Sequence, residues 1–390
     1  MGGGPLWGGS ARLARMTPPT RNIGIGVIGS GFGRSTQIPA FAHTPGAEVV
    51  AVVSRSLARA YAAAKDFDVR RAFDPSDVDR FLALDDLDLV CVSSPPDTHR
   101  DYSLRALAAG KHVLCEKPTA MNAGEAREMA EAARGSRRLA LLDHELRFDP
   151  TRRRLRDLVR EGYLGRLLHV SVSVESEFRL DAGRAWSWWS DEARGGGVLG
   201  AIGSHVVDAV RYTFGEVRRG RGQVRTMIAE RPDAEGGAVR RVTADDHAAF
   251  WLELEGGALV TGTLSAVSRT PVPGWTMGAH GTDGSLLLGA DGRLSGRRGA
   301  EKAFADLSAP APAFDAAALG MPDTMWSKAF VIYAAEIVKT LAAGRVELAD
   351  AATFEDGLRS QEVLDALRES SRRDAWVECG AVGSAAHSRS

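Results

Sequence analysis

From residue 22 to about residue 143, short β-rich runs alternate with stretches of helical pattern, and this alternation narrows the fold more than any other feature of the chain. The run Ile23-Gly24-Ile25-Gly26-Val27-Ile28 is apolar and leads into glycines; helical pattern follows to about Phe41, then the strand Val49-Val50-Ala51-Val52-Val53. An alanine-rich stretch at 57–67 reads as helix and Leu87-Asp88-Leu89-Val90-Cys91-Val92 as a buried strand. Asp97 is placed to cap a helix that stops at Gly110. His112-Val113-Leu114-Cys115, a helix over 123–134 and a strand over 139–142 complete the series. A helix between two strands carries the chain back so that they pair in parallel. The expectation is an α/β domain over 22–145, a doubly wound parallel sheet of Rossmann type.

Beyond Arg147 the texture changes. A helix over 151–161 leads into Leu167-Leu168-His169-Val170-Ser171-Val172-Ser173-Val174, whose two-residue period marks a half-buried strand. A second helix runs from about Gly197 to Phe214, and strands follow at 224–229, 247–254, 259–265 and 275–279. Strands in succession without helices between them pair antiparallel and leave one sheet face open. Residues 309–320, rich in alanine and proline, read as a loop, and two helices (326–342 and 354–370) close the chain. The second domain, 146–379, is therefore expected to be α+β with an open, mainly antiparallel sheet. Residues 1–21 and 380–390 are expected to be a disordered extension and tail.

Lysine plus arginine (49) and aspartate plus glutamate (50) nearly cancel, which argues against nucleic-acid or membrane-surface partners. Three scattered cysteines form no disulfide framework, and the first 21 residues carry no apolar segment of a secretory signal; both point to the cytoplasm. The nine histidines fall in no metal-ligand spacing, so no metal is expected.

The segment Gly29-Ser30-Gly31-Phe32-Gly33 follows the first strand and opens a helix. Glycines there let a backbone turn tightly and approach a pyrophosphate resting on the helix N-terminus. The spacing departs from the usual G-x-G-x-x-G, with Arg34 in the third glycine's place, so a plain tight turn is the other reading. At the end of the second strand, where a carboxylate would bind the adenosine ribose of NAD, the chain has Ser54-Arg55-Ser56. A guanidinium between hydroxyls suits a 2′-phosphate, which favours NADP over NAD.

Four motifs in order resemble the glucose–fructose oxidoreductase / inositol dehydrogenase / rhizopine catabolism (Gfo/Idh/MocA) family: the glycine loop, Ser93-Ser94-Pro95-Pro96-Asp97-Thr98-His99, Glu116-Lys117-Pro118, and Gly195-Gly196-Gly197 running on to His205 and Asp208. The resemblance spans about 22–379 and implies an NAD(P)-dependent dehydrogenase or reductase acting on a hydroxyl or carbonyl of a sugar, polyol or related small molecule. It implies that Ser94, Pro95, His99, Glu116 and Lys117 line the cofactor site, that Lys117 and His205 are acid/base residues, and that Lys117, Arg147 and His205 meet substrate. It also implies a cis Lys117–Pro118 bond and a homo-oligomer, dimer or tetramer, paired through the C-terminal sheet. One departure stands out. The family often has an aspartate four residues before the histidine, and here that residue is Ala201. Asp208, three residues after His205, is the carboxylate left to orient an imidazole whose ordinary pKa is about 6–7. Trp186, Trp188 and Trp189 are candidates for stacking on a sugar or for a core or interface cluster. Two other classes share such a fold: glycosidases that oxidise the sugar transiently on a tightly held NAD, and non-catalytic NAD(P)-sensing regulators.

Overall fold

The structure is a computed structural model that describes residues 21–233 and 237–380. The expected terminal extension and tail lie outside the described residues, save Arg21 and Gly380. Six parallel strands, β1 (Ile23–Ile28), β2 (Ala47–Val53), β3 (Ala72–Phe73), β4 (Leu89–Val92), β5 (His112–Cys115) and β6 (Ala140–Leu142), pair in the order β3-β2-β1-β4-β5-β6. The helices between them are α1 (Ile38–Ala42), α2 (Leu57–Asp66), α3 (Val78–Leu82), α4 (His99–Ala108) and α5 (Ala123–Ser136). Alternate strand residues serve opposite faces. Leu89 and Cys91 join the core shared with α1, while Val90 and Val92 join the one shared with α3 and α5. The strand order reverses between β1 and β4, and a crevice opens beyond their C-terminal ends.

Two local readings are corrected. Asp97 does not cap α4, whose N-cap is Thr98; its carboxylate instead takes a hydrogen bond from Arg194 at 3.1 Å, across to the second half of the chain. The first helix begins as a π-helical turn, Gly33–Gln37, before α1.

The second sheet has nine strands: β7 (Leu167–Glu175), β8 (Val217–Arg225), β11 (His247–Leu254), β12 (Leu259–Ser265), β13 (Gly274–Gly281), β14 (Gly284–Leu288), β15 (Leu294–Arg298), β16 (Ala305–Asp306) and β17 (Val377–Glu378); β9 (Glu230–Pro232) and β10 (Val239–Arg241) form a separate hairpin. All neighbours are antiparallel except β7 and β12. Helices α6 (Pro150–Arg160), α7 (Ser204–Phe214), α8 (Ala316–Leu319), α9 (Met325–Ala342) and α10 (Phe354–Arg373) complete the chain. β8 starts seven residues earlier than its sequence suggests and is rich in arginine and glycine. Leu367 of α10 packs closely onto Gly220 and Gly222, so that a Cβ would meet its Cδ2 at 3.0 and 3.2 Å. β14 and β15 escaped the sequence reading, and the 309–320 loop contains the single turn α8.

The last two long helices bind the halves together. α9 returns to the N-terminal sheet, where Phe330 meets Phe41 edge-on at 5.7 Å and Tyr333 donates to the Leu142 carbonyl at 3.0 Å. Full burial of a side chain like Phe330 contributes about 2–3 kcal/mol. α10 lies between α5 and β8. No helix among the described residues is long and apolar enough to cross a membrane.

Candidate active site

A cleft of about 620 Å³ runs from the glycine loop to the start of α7. On its N-terminal side Gly29 has φ +118°, and a Cβ there would strike the Ser93 carbonyl. Gly31 differs: a Cβ at that position would meet nothing within 4 Å. The fold therefore has no packing need for glycine at 31, and the open space fits a group that must approach the backbone closely. Gly33 lies off the cleft, where a Cβ would come within 2.8 Å of Val27 in β1. Ser30 and Ser54 share a hydrogen bond of 2.8 Å between their hydroxyls. Arg55 lines the cleft together with Arg59, which sequence reasoning missed although it stands four residues on. Arg34 points elsewhere, paired with Asp66.

Ser94 and Pro95 border the cleft, and His99 braces it from behind. The buried His99 ring lies 2.8 Å from the Pro118 carbonyl and 2.9 Å from that of Ser94, so it ties two strand-end loops together without reaching the cavity. Glu116 and Glu145, both largely buried, line the cleft, and Asp143 is buried beside them. Gln37 Nε2 donates to Glu116 at 3.1 Å and to Asp143 at 2.8 Å. Burial pushes all three carboxyls above their ordinary range. Asp143 and Glu145 went unnoticed in the sequence; their signal is polar residues directly after a buried strand, where such sheets bind ligands.

Lys117 follows, its peptide bond to Pro118 cis as expected. Its Nζ donates to the Ala201 carbonyl at 2.9 Å. The missing side-chain carboxylate is thus partly replaced by a backbone oxygen. Ala201 belongs to a second π-helical turn, Leu199–Gly203, that runs into α7. Asp245 steadies its start by accepting from the Leu199 N–H at 2.7 Å.

One turn on from Ala201, the His205 ring lines the cleft, only 3 % exposed, with Trp326 of α9 at 4.6 Å. Its buried Nε2 has no hydrogen-bond partner among the described residues. Burial, helped by the positive charge of Lys117, pushes its pKa well below the ordinary value assumed from sequence. Asp208 does not orient it. Both carboxylate oxygens of Asp208 are taken by Arg147, at 2.9 and 2.6 Å, and Arg147 also reaches Asp356 at 3.1 Å. Arg147 is therefore a buried strut and does not line the cleft. The partner of His205 is His144, with the two Nδ1 atoms 3.4 Å apart. Trp188 and Trp189 line the cleft, while Trp186 turns away under Arg240, whose guanidinium lies 3.4 Å from the ring centre. Among the described residues, no cluster of metal-ligating side chains occurs.

A parallel sheet with a glycine turn at its reversal point, joined to a second sheet domain, defines the fold of a Rossmann-type nucleotide-binding protein. Comparison with known proteins narrows this. Residues 23–144 match the oxidoreductase family model for the NAD-binding Rossmann fold of Gfo/Idh/MocA proteins, and 152–287 match the Gfo/Idh/MocA C-terminal domain. The chain belongs to this oxidoreductase family. It is 30% identical to glucose-fructose oxidoreductase domain-containing protein 2 of Bos taurus, over 90% of this chain and 92% of that one. It is 27% identical to levoglucosan dehydrogenase of Pseudarthrobacter phenanthrenivorans, over 92% and 98%. A solved levoglucosan dehydrogenase in complex with NADH and L-sorbose shares the fold, with a TM-score of 0.82 and 23% identity over 93% of this chain and 100% of that one.

Proposed function

We propose that the protein transfers a hydride between a nicotinamide dinucleotide, NADP in preference to NAD, and a CH–OH group of a sugar or polyol. The observation that carries this reading is the convergence, in one cleft with the glycine loop, of Lys117 held on the Ala201 carbonyl and His205 with a free Nε2. The dinucleotide, when bound, supplies the hydride acceptor or donor. Gly31 leaves room for its pyrophosphate, and the N-terminus of the following helix offers unpaired N–H groups to it. Arg55 and Arg59 both line the cleft, and their guanidinium groups would suit a 2′-phosphate, which supports the NADP reading. Lys117 donates a hydrogen bond to the reacting oxygen and His205 takes or returns its proton. Trp188 and Trp189 offer flat apolar faces to a sugar ring, and the likeness to levoglucosan dehydrogenase supports that substrate class. The open face of the second sheet, with Leu168, Trp251 and Leu259 exposed, is suited to pairing with a second copy, which light scattering would detect.

The test is a panel of sugars and polyols with NADP and NAD, followed at 340 nm. Lys117→Ala should lower turnover by about 10²- to 10⁴-fold while nucleotide affinity holds. Turnover near wild type in that variant would overturn the assignment.

A further inference from the structure

Beside His205, separate from the cleft, lies a small cavity of about 20 Å³. His144, Arg147, Arg152, Asp208 and Tyr212 line it together with His205. It is large enough for about one water molecule. His144 belongs to the loop after β6, in the first half of the chain, and His205 to α7 in the second. Their rings meet edge to face, with centroids 5.2 Å apart at 79°.

An imidazole that takes a proton at Nε2 becomes an imidazolium and carries a proton on each nitrogen. Its Nδ1–H then needs an acceptor, all the more so in a buried site where an unpaired donor is costly. The backbone and side chains around His205 offer little choice. Ala201 has no polar side chain, and its carbonyl is occupied by Lys117. Asp208 is locked to Arg147. Among the described residues, His144 Nδ1 is the one atom within hydrogen-bonding reach of His205 Nδ1.

We propose that His144 is a positioning residue for the reaction: a neutral His144 presents its Nδ1 lone pair to the Nδ1–H of His205, which leaves the Nε2 lone pair of His205 free to act as base. This rests on the function proposed above. The step balances simply. With an oxidised nicotinamide bound to take the C–H hydride and its electron pair, the hydroxyl proton would move to His205 Nε2, leaving the carbonyl product, reduced nicotinamide and an imidazolium. Asp208, with Oδ2 4.0 Å from His144 Nδ1, sets a negative charge behind the pair. The other charges facing the two rings are Lys117 from the cleft, Arg152 and Arg147 from the cavity, and Asp356 from α10. Burial keeps His144 neutral, with its pKa pushed down to about 4, as an acceptor must be.

Histidine ¹⁵N shifts at pH 7 test the tautomer directly, with His205→Asn identifying the His205 signals. The expected wild-type result is one neutral form of His205, protonated at Nδ1 and bare at Nε2; in His144→Phe the two tautomers should mix. In the same variant kcat should fall about 10- to 100-fold with KM changed little, and His144→Asn, whose amide oxygen can accept, should recover most of it. A wild-type His205 protonated at Nε2, or a His144→Phe protein with unchanged shifts and kcat, overturns the proposal. So does a His144→Asn loss equal to that of His144→Phe at the same melting temperature. If His144→Phe does not fold, the wild-type shifts and the asparagine variant decide alone. If the wild type turns over no sugar, the function fails, while the tautomer still decides the role of His144.

Discussion

The cleft is bounded by two glycine-rich segments built alike, each a loop running into a π-helical turn and then an α-helix: Gly29 to Gly33 before α1, and Gly195 to Gly203 before α7. Their glycines do not all exist for the same reason. In the second segment the protein itself fills the space. A Cβ on Gly196 would come within 2.6 Å of the Trp188 carbonyl, 2.7 Å of that of Trp189 and 2.8 Å of that of Asp191. Gly195 has φ +78° and would strike Pro96 from the other half of the chain. In the first segment, Gly31 faces emptiness. Both loops pack glycines tightly, Gly29 and Gly33 in the first and Gly195 and Gly196 in the second, but only the first keeps an open space, at Gly31. A glycine pattern alone does not distinguish these, and the surrounding atoms do.

The largest expected effect lies in the packed loop. Gly196→Ala pushes against three backbone oxygens that cannot move without breaking the loop, and should cost about 3 kcal/mol or more in chemical denaturation. A loss under about 1 kcal/mol would mean that the loop adapts and the contrast is weaker than drawn.

Gly31→Ala is the counterpart. It should leave the stability of the nucleotide-free protein within about 0.5 kcal/mol of wild type, yet weaken dinucleotide binding about tenfold or more by titration. Equal binding by the two proteins would show that the open space is not where the pyrophosphate lies.

Arg55→Asp extends the same test along the cleft. Exchanging an attractive for a repulsive charge should weaken NADP about tenfold while NAD changes little. Parallel changes in both would remove the 2′-phosphate reading.

The smallest effect follows from the burial of His205 behind the packed loop. Its folded pKa lies below its unfolded value of about 6.5, so in acid the unfolded chain binds a proton that the native state refuses. This contribution to stability is whole above about pH 6.5 and is lost as pH falls below it, at up to about 1.4 kcal/mol per unit. His205→Asn should therefore lose about 1 kcal/mol less than wild type between pH 7 and 5.5 in denaturant titrations. For the same reason the acid limb of the pH–rate profile should lie well below the ordinary histidine range, and a limb within that range would show His205 to be less enclosed.

The parallel sheet, the glycine turn, the strand-end Ser54-Arg55 and the Lys117 and His205 motifs were all legible in the chain, because each depends on local periodicity or on residues close in sequence. The half-polar strands β7, β11 and β12 were legible for the same reason. β8 was blurred because its glycines make sense only under Leu367 of α10, about 145 residues away, while Arg218, Arg219 and Arg221 pair with Glu253, Glu378 and Asp374. The resemblance offered Arg147 as a substrate residue, and Asp208 read either as a partner of His205 or as a structural contact; burial against each other makes the pair a strut. Arg194 bridging to Asp97, Trp326 against His205, and above all His144 as the histidine's neighbour could not be read at all. These contacts join segments about 60 to 120 residues apart, so their geometry is set by how the two halves pack and not by any local pattern. Side-chain identity determined which chemistry was possible; the packing of α7, α9 and the β6 loop around one imidazole decided which groups share it.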